Sequence, residues 1–210
     1  MKKLWNKLWI KEDFVYKNAY ENSKEWIVIK PNTKKSELLK IKKENPNNSF
    51  KFALICNKNN YKSNYSIKKD LISIFKHNLL RYEKLIDLKG CNKKEIRKYL
   101  TKRDIKLFTN IEHSQSGDYM SFRNSGLDDF LSKEVWNKIY VINMKEFFNS
   151  NSDKIFGRII QNINLAKKYG FRYSFSSFAK NKEEKTEIDN FEFIDNFEND
   201  LKIIQNHLLK

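Results

Sequence analysis

Two stretches of this 210-residue chain hold side chains of the types that do chemistry. The first runs from Thr109 to Arg123, TNIEHSQSGDYMSFR, and places Glu112, His113 and Asp118 in one polar segment. Carboxylates beside an imidazole suit general acid–base work or a divalent cation. With Asp87, near the end of an apolar run upstream, they form the set that a metal-dependent phosphoesterase or nuclease would use. Such a site draws further ligands from other strand ends. The chain has only three histidines, His77, His113 and His207, with no HxH or HxxxH pair among them. An ordinary solvated loop carries the same residue types. The second stretch ends in Ser176-Ser177. The nearest histidine after that pair is His207, on a segment with helical periodicity, so the hydroxyls suit bonds to backbone or phosphate better than nucleophilic attack. Cys56 and Cys91 stand 35 positions apart with no CxxC spacing. That makes neither a zinc site nor a disulfide framework, and agrees with a reducing compartment.

Cations are better placed than catalytic groups. The chain carries 42 Lys and Arg against 26 Asp and Glu, a formal net charge of +16. Residues 181–210 hold eight acids and four bases, leaving 38 bases against 18 acids in residues 1–180. A basic body with an acidic end points to a polyanionic partner, and a Lys- and Asn-rich composition adds to the same excess. Arg123, Arg158, Lys167, Lys168, Arg172, Lys180 and Lys182 bracket the segments around residues 156–181. Tyr61, Tyr65, Tyr119 and Phe122 lie in or beside polar loops and offer faces for stacking. RNA is the partner this combination favours. The amino-terminal MKKLWNKLWIKED has charges every few residues, with no apolar core of about 7–15 residues and no span of about 18. The reading is a cytoplasmic protein with no membrane contact.

The elements that must position these groups alternate. Leu4–Ile10 reads as a strand and Glu12–Ser23 as helical in spacing. Trp26–Ile29, Phe50–Cys56, Lys84–Leu88, Ile105–Phe108, Ile139–Ile142 and Phe171–Phe178 read as strands. Between them fall helices near Ser36–Ile41, Tyr65–Arg81, Asn92–Leu100, Ser125–Trp136 and Asp153–Tyr169, with a last one over Asn196–Leu209. The Asp153–Tyr169 segment is the most legible. Ile159, Ile160, Ile163 and Ala166 share a face, Lys167 and Lys168 sit in the last turn, and Gly170 is the stop. Seven or so strand–helix repeats imply parallel strands with right-handed crossovers. Neither GxGxxG nor a P-loop is present. The expectation is a (β/α) TIM-like barrel forming a single domain over residues 1–210, its last ~30 residues an acidic helical closing segment. An open doubly wound sheet is the alternative.

Four segments in order carry a resemblance: Arg123-Asn-Ser-Gly-Leu-Asp-Asp-Phe-Leu131, Ile139-Tyr-Val-Ile142, Asn162-Ile-Asn-Leu-Ala-Lys-Lys-Tyr169 and Ser174-Phe-Ser-Ser-Phe-Ala179. Across residues 105–181, about a third of the chain, the sequence resembles ribonuclease P protein component three, the archaeal counterpart of the eukaryotic thirty-kilodalton subunit. The resemblance implies a barrel related to the PHP phosphoesterases but without their metal-binding histidines. It implies a non-catalytic, RNA-binding subunit of the ribonucleoprotein that removes 5′ leaders from precursor tRNA. The RNA would supply catalysis, with no protein cofactor and Mg2+ entering only through the RNA. The partners would be ribonuclease P RNA, precursor tRNA and a Pop5-like protein subunit. The residues expected at the RNA are Arg123, Arg158, Lys167, Lys168, Arg172, Ser176, Ser177 and Lys180.

A third reading makes the chain a scaffold whose acidic end docks a basic protein, with assembly insensitive to charge reversal at Lys167, Lys168 and Arg172. The phosphoesterase reading has its own signature. It requires chelator-sensitive cleavage by the isolated protein, abolished in both Glu112→Gln and His113→Ala, whereas a ribonuclease P subunit by itself should cleave nothing.

Overall fold

The computed structural model describes residues 14–15, 26–30, 33–44, 51–61, 70, 73–74, 82–114, 124–148 and 152–178. Seven strands form one sheet: β1 Phe14–Val15, β2 Trp26–Ile29, β3 Lys51–Cys56, β4 Tyr82–Asp87, β5 Ile105–Thr109, β6 Ile139–Asn143 and β7 Arg172–Ser176. All six pairings are parallel, and the spatial order is the chain order. The sheet curls as a half-barrel. A doubly wound sheet reverses strand order at a switch point and carries helices on both faces. Neither feature occurs among the described strands, so the winding is of barrel type.

The strand sequences explain why. Most are apolar along much of their length, as a sheet buried on both faces requires, with β4 (YEKLID) and β7 (RYSFS) more mixed, and alternate residues enter different layers. Ile27, Ile29, Phe52, Leu54, Ile86, Phe108, Tyr140 and Ile142 face one way, into the same core as the helix residues Leu38, Ile96, Leu131 and Ile163. Val28, Ala53, Leu85, Leu107, Ile139 and Val141 face the other way, into a smaller core made of strand residues and Phe178. The second set is the concave side, and its small members suit a narrowing interior. Leu85 and Leu107 are paired across β4 and β5 and fully buried, each contributing about 1.5–3 kcal/mol.

Five α-helices are described: α1 Lys35–Glu44, α2 Lys93–Leu100, α3 Asp129–Glu134, α4 Met144–Phe148 and α5 Ser152–Tyr169. The start of α2 is a capping box. Asn92 Oδ1 accepts from the Glu95 N–H and Glu95 Oε2 accepts from the Asn92 N–H, both at 2.9 Å. Helix α5 buries Ile155, Ile159, Ile163 and Ala166 at helical spacing and stops at Gly170, whose φ of 76° is left-handed and whose N–H bonds Ala166 O at 2.8 Å.

Three sequence expectations are corrected. Phe14–Val15 is strand, paired with Trp26–Ile27, rather than part of a helix over Glu12–Ser23. The apolar residues there fit helical spacing too sparsely to outweigh an aromatic and β-branched pair beside an available strand edge. The helix expected over Ser125–Trp136 shrinks to α3. Gly126 takes φ 87°, and Asp128 caps α3 by accepting the Leu131 N–H at 2.8 Å. Residues 143–148, read as loop, contain α4. Asn143 Oδ1 accepts the Glu146 N–H at 3.2 Å, the side-chain-to-third-residue bond that Asn92 makes at α2. The strand expected over Leu4–Ile10, most of the helix expected over Tyr65–Arg81 and the acidic helix of residues 196–209 lie outside the described residues.

One buried cation ties the amino ends of the strands together. Lys138 is 3% exposed, and its ammonium donates to Lys102 O at 2.7 Å and to Ile105 O. Burial lowers its pKa, and the two carbonyls are what it gains in place of water. The tightest backbone approach is at Gly126. A Cβ there would lie 2.7 Å from both Ile111 O and Ile111 Cγ1. With the left-handed φ added, Gly126→Ala is expected to destabilise the fold by about 2 kcal/mol or more, read as a lower urea midpoint at unchanged slope.

Candidate functional site

In a barrel of this winding the working groups stand at the carboxyl ends of the strands. Four inward positions there are polar: Asp87, Thr109, Asn143 and Ser176, joined in register as Asp87 with Thr109 and Asn143 with Ser176. The chain after β5 holds the rest. Asn110 adopts a left-handed φ of 57°, and a 3-10 turn, Ile111–His113, follows. Asn110 Nδ2 donates to Asp87 Oδ1 at 3.0 Å, and the same oxygen accepts the Lys89 N–H. Lys89 reaches across to Glu146 on α4 at 2.6 Å, with both side chains partly exposed, so the bridge adds little stability.

Glu112 is a strongly perturbed carboxyl. It is 1% exposed, and burial pushes its carboxyl up to about 7. The Tyr140 hydroxyl donates to Glu112 Oε2 at 2.8 Å and opposes the rise, while Asp87 and Glu146 reinforce it. Burial, then the neighbouring Glu112, holds the Tyr140 phenol protonated, and a hydrogen bond with the Asn162 side chain opposes that rise. Arg158, 4% exposed, donates from Nη1 to Glu112 O at 2.7 Å, and Asn162 Nδ2 donates to Ser125 O at 3.1 Å. Together these bonds stitch the 3-10 turn and the Ser125 segment to α5. His113 is half-buried, and desolvation holds its imidazole below its ordinary pKa. Thr109 Oγ1, Asn110 Oδ1, Glu112 Oε1, His113 Nε2 and Asn162 Oδ1 are buried without a protein partner, the kind of acceptors that ordered water serves. Among the described residues no three His, Cys, Asp or Glu side chains converge on a point that could hold a metal ion.

The residues expected at RNA do not form one surface. Ser176 and Ser177 are buried at the carboxyl end of β7, at 2% and 3% exposure. Arg172 is at the other end of that strand, in register with Ile139, so about 13 Å separates Arg172 from Ser176. Helix α5 runs back against the strands. Arg158 lies in its first half, inside the buried seam, and Lys167 and Lys168 lie ~15 Å further on, exposed at the amino ends of the strands. Lys168 pairs with Asp129 at 3.0 Å, and Tyr169 donates to the same carboxylate at 2.6 Å. Arg123, Lys180 and Asp118 lie outside the described residues.

Solved structures supply the comparison. The fold is that of a chain from archaeal ribonuclease P. That chain comes from the "cryo-EM structure of archaeal Ribonuclease P with mature tRNA", and it superposes with a TM-score of 0.56 over 83% of this chain and 76% of its own length. The two sequences are 17% identical, so the likeness is one of fold. No family model matches the sequence, and no curated protein matches it.

Sequence reasoning missed the Tyr140–Asn162 pairing that supports Glu112, because Tyr140 reads as one more apolar strand residue. It also missed the exposed rings of Phe130 and Trp136, at 55% and 66% exposure. The stripe Leu127, Leu131 and Val135 is the signal that turns them outward.

The raised carboxyl of Glu112 sets a pH dependence. Its folded pKa lies above the ordinary 4.5, so its proton favours the fold below about pH 4.5, and that stability is lost as pH rises through about 7. His113, depressed, works in the opposite sense. The difference between wild type and Glu112→Gln isolates the carboxylate. Thermal melts are expected to place the variant up to ~3 kcal/mol better, relative to wild type, at pH 8 than at pH 5.

Proposed function

We propose that this chain is a protein subunit of ribonuclease P that binds RNA and leaves cleavage to the RNA. The likeness of fold to a chain of archaeal ribonuclease P, over most of both lengths, is the observation that carries the reading. The net charge of +16 supports it, because neutralising phosphates with lysines and arginines releases counterions and drives association. The motif order over residues 105–181 supports component three as the particular subunit. On that reading the barrel is PHP-related, the partners are ribonuclease P RNA, precursor tRNA and a Pop5-like subunit, Mg2+ belongs to the RNA, and the setting is cytoplasmic. No described helix is long and apolar enough to cross a membrane.

The buried seam has a place in this proposal. Glu112, Tyr140, Arg158 and Asn162 are committed to one another and to backbone carbonyls, so they act as a frame. Arg158 then contributes by holding the Glu112 turn against α5 rather than by touching phosphate.

Purification of the native protein is expected to bring ribonuclease P RNA and a small set of proteins with it. Filter binding to that RNA should weaken steeply with salt, its logarithmic slope counting the phosphates contacted. Absence of the RNA from the purified material, or affinity indifferent to salt, would overturn the proposal.

A further inference from the structure

We infer that the outer face built by α2, α3 and the end of α5, centred on Phe130 and Trp136, is a docking surface for single-stranded RNA. The inference rests on the reading of the chain as an RNA-binding subunit. It moves the contact to the amino ends of the strands, away from Ser176 and Ser177.

Phe130 and Trp136 are large rings at 55% and 66% exposure, turned outward because Leu127, Leu131 and Val135 take the buried stripe. Cations lie over the Phe130 ring and over Tyr169 on α5. The Arg97 guanidinium on α2 lies 4.7 Å from the centre of the Phe130 ring. Lys133, one turn beyond Phe130, and Lys168 stand over the Tyr169 ring at 5.8 and 5.0 Å. Asp129 fixes this arrangement from below by accepting from both Lys168 and Tyr169. Lys167 is exposed beside them. Two acids lie on α3's exposed surface, Asp129 and Glu134, and Asp129 is already bonded to Lys168 and Tyr169.

Exposed rings set among surplus cations match one ligand chemistry. Bases stack on aromatic faces and on guanidinium planes while lysines meet the phosphates. A duplex hides its base faces, so the occupant is an unpaired strand. A protein partner would need an apolar hollow to fill, and here a guanidinium lies over the Phe130 ring and ammonium groups over Tyr169.

Fluorescence anisotropy with the full-length protein tests this, using a labelled oligo(U) of about 20 nucleotides and an RNA duplex of similar length. Phe130→Ala with Trp136→Ala is expected to weaken oligo(U) binding about tenfold or more, as loss of two stacked bases would. Lys133→Glu with Lys168→Glu should weaken it too and reduce the salt slope by about two. Lys40→Glu with Lys43→Glu, the same charge change on the exposed face of α1, should leave binding near wild type. Circular dichroism confirms that each variant is folded. Wild-type affinity in the aromatic double variant overturns the inference. So does a preference for the duplex, or equal loss in the α1 control. Purification from cells separates the two levels. If Phe130→Ala/Trp136→Ala retains ribonuclease P RNA while oligo(U) binding is unchanged, this surface fails and the subunit reading stands. Loss of a co-purifying protein with RNA retained assigns the face to that protein and also overturns the inference. If the wild type brings down no ribonuclease P RNA, the subunit reading itself falls.

Discussion

Everything in this fold follows from burying a parallel sheet on both faces. A strand so placed has no solvent side to carry charge, so its residues must be apolar in both parities, and the two parities must differ in size. On the convex side large residues such as Phe108, Tyr140 and Ile142 meet the helices. On the concave side Val28, Ala53 and Val141 meet one another. Among the described residues the constraint sends most charged groups to the strand ends, the loops and the outward surfaces of the helices. It thereby sorts the cations of a strongly basic chain into two populations before any partner is considered.

At the carboxyl ends several polar groups bond one another and backbone carbonyls, while some buried acceptors are left for water. Glu112 would be costly to bury as a carboxylate, and the structure offsets that cost by raising its pKa to about 7 and by giving it the Tyr140 hydroxyl. Arg158 and Asn162 commit their donors to Glu112 O and Ser125 O. The result is a polar seam inside an apolar layer, where it fixes how α5 sits on the 3-10 turn. Polar groups satisfied in this way specify one packing arrangement more than they add net stability.

Much of this is legible in the sequence, unevenly. Short apolar runs, the alternation over residues 171–178 and the stop at Gly170 locate six of the seven strands and α5, because those signals are local. Asn92 announces α2 through its bond to a residue three positions on. The same pattern at Asn143 escapes notice because the helix behind it is a single turn. Phe14–Val15 reads as helix because its pairing partner, Trp26–Ile27, lies outside any local window. The scatter of the expected RNA-facing residues is a matter of direction. Residues 158, 168, 172 and 176 are close in sequence, but α5 and β7 run in opposite senses, and adjacency along the chain says nothing of which end of the sheet each one reaches. The burial of Glu112 depends on Tyr140 and Asn162, each more than twenty residues away, and no spacing rule connects them.

Helix α5 belongs to both ends of the molecule. Its middle is held inside the seam by Arg158 and Asn162, and its last turn is held outside by Lys168 and Tyr169 on Asp129. The two attachments share no side chain and lie ~9–15 Å apart along the helix, at or beyond the range at which substitutions usually couple. The outer surface is therefore free to drift under selection without disturbing the interior. A lineage could exchange the rings and lysines there for others suited to a different partner and keep the same curled sheet beneath. A common fold at 17% sequence identity is what such a division of labour leaves behind.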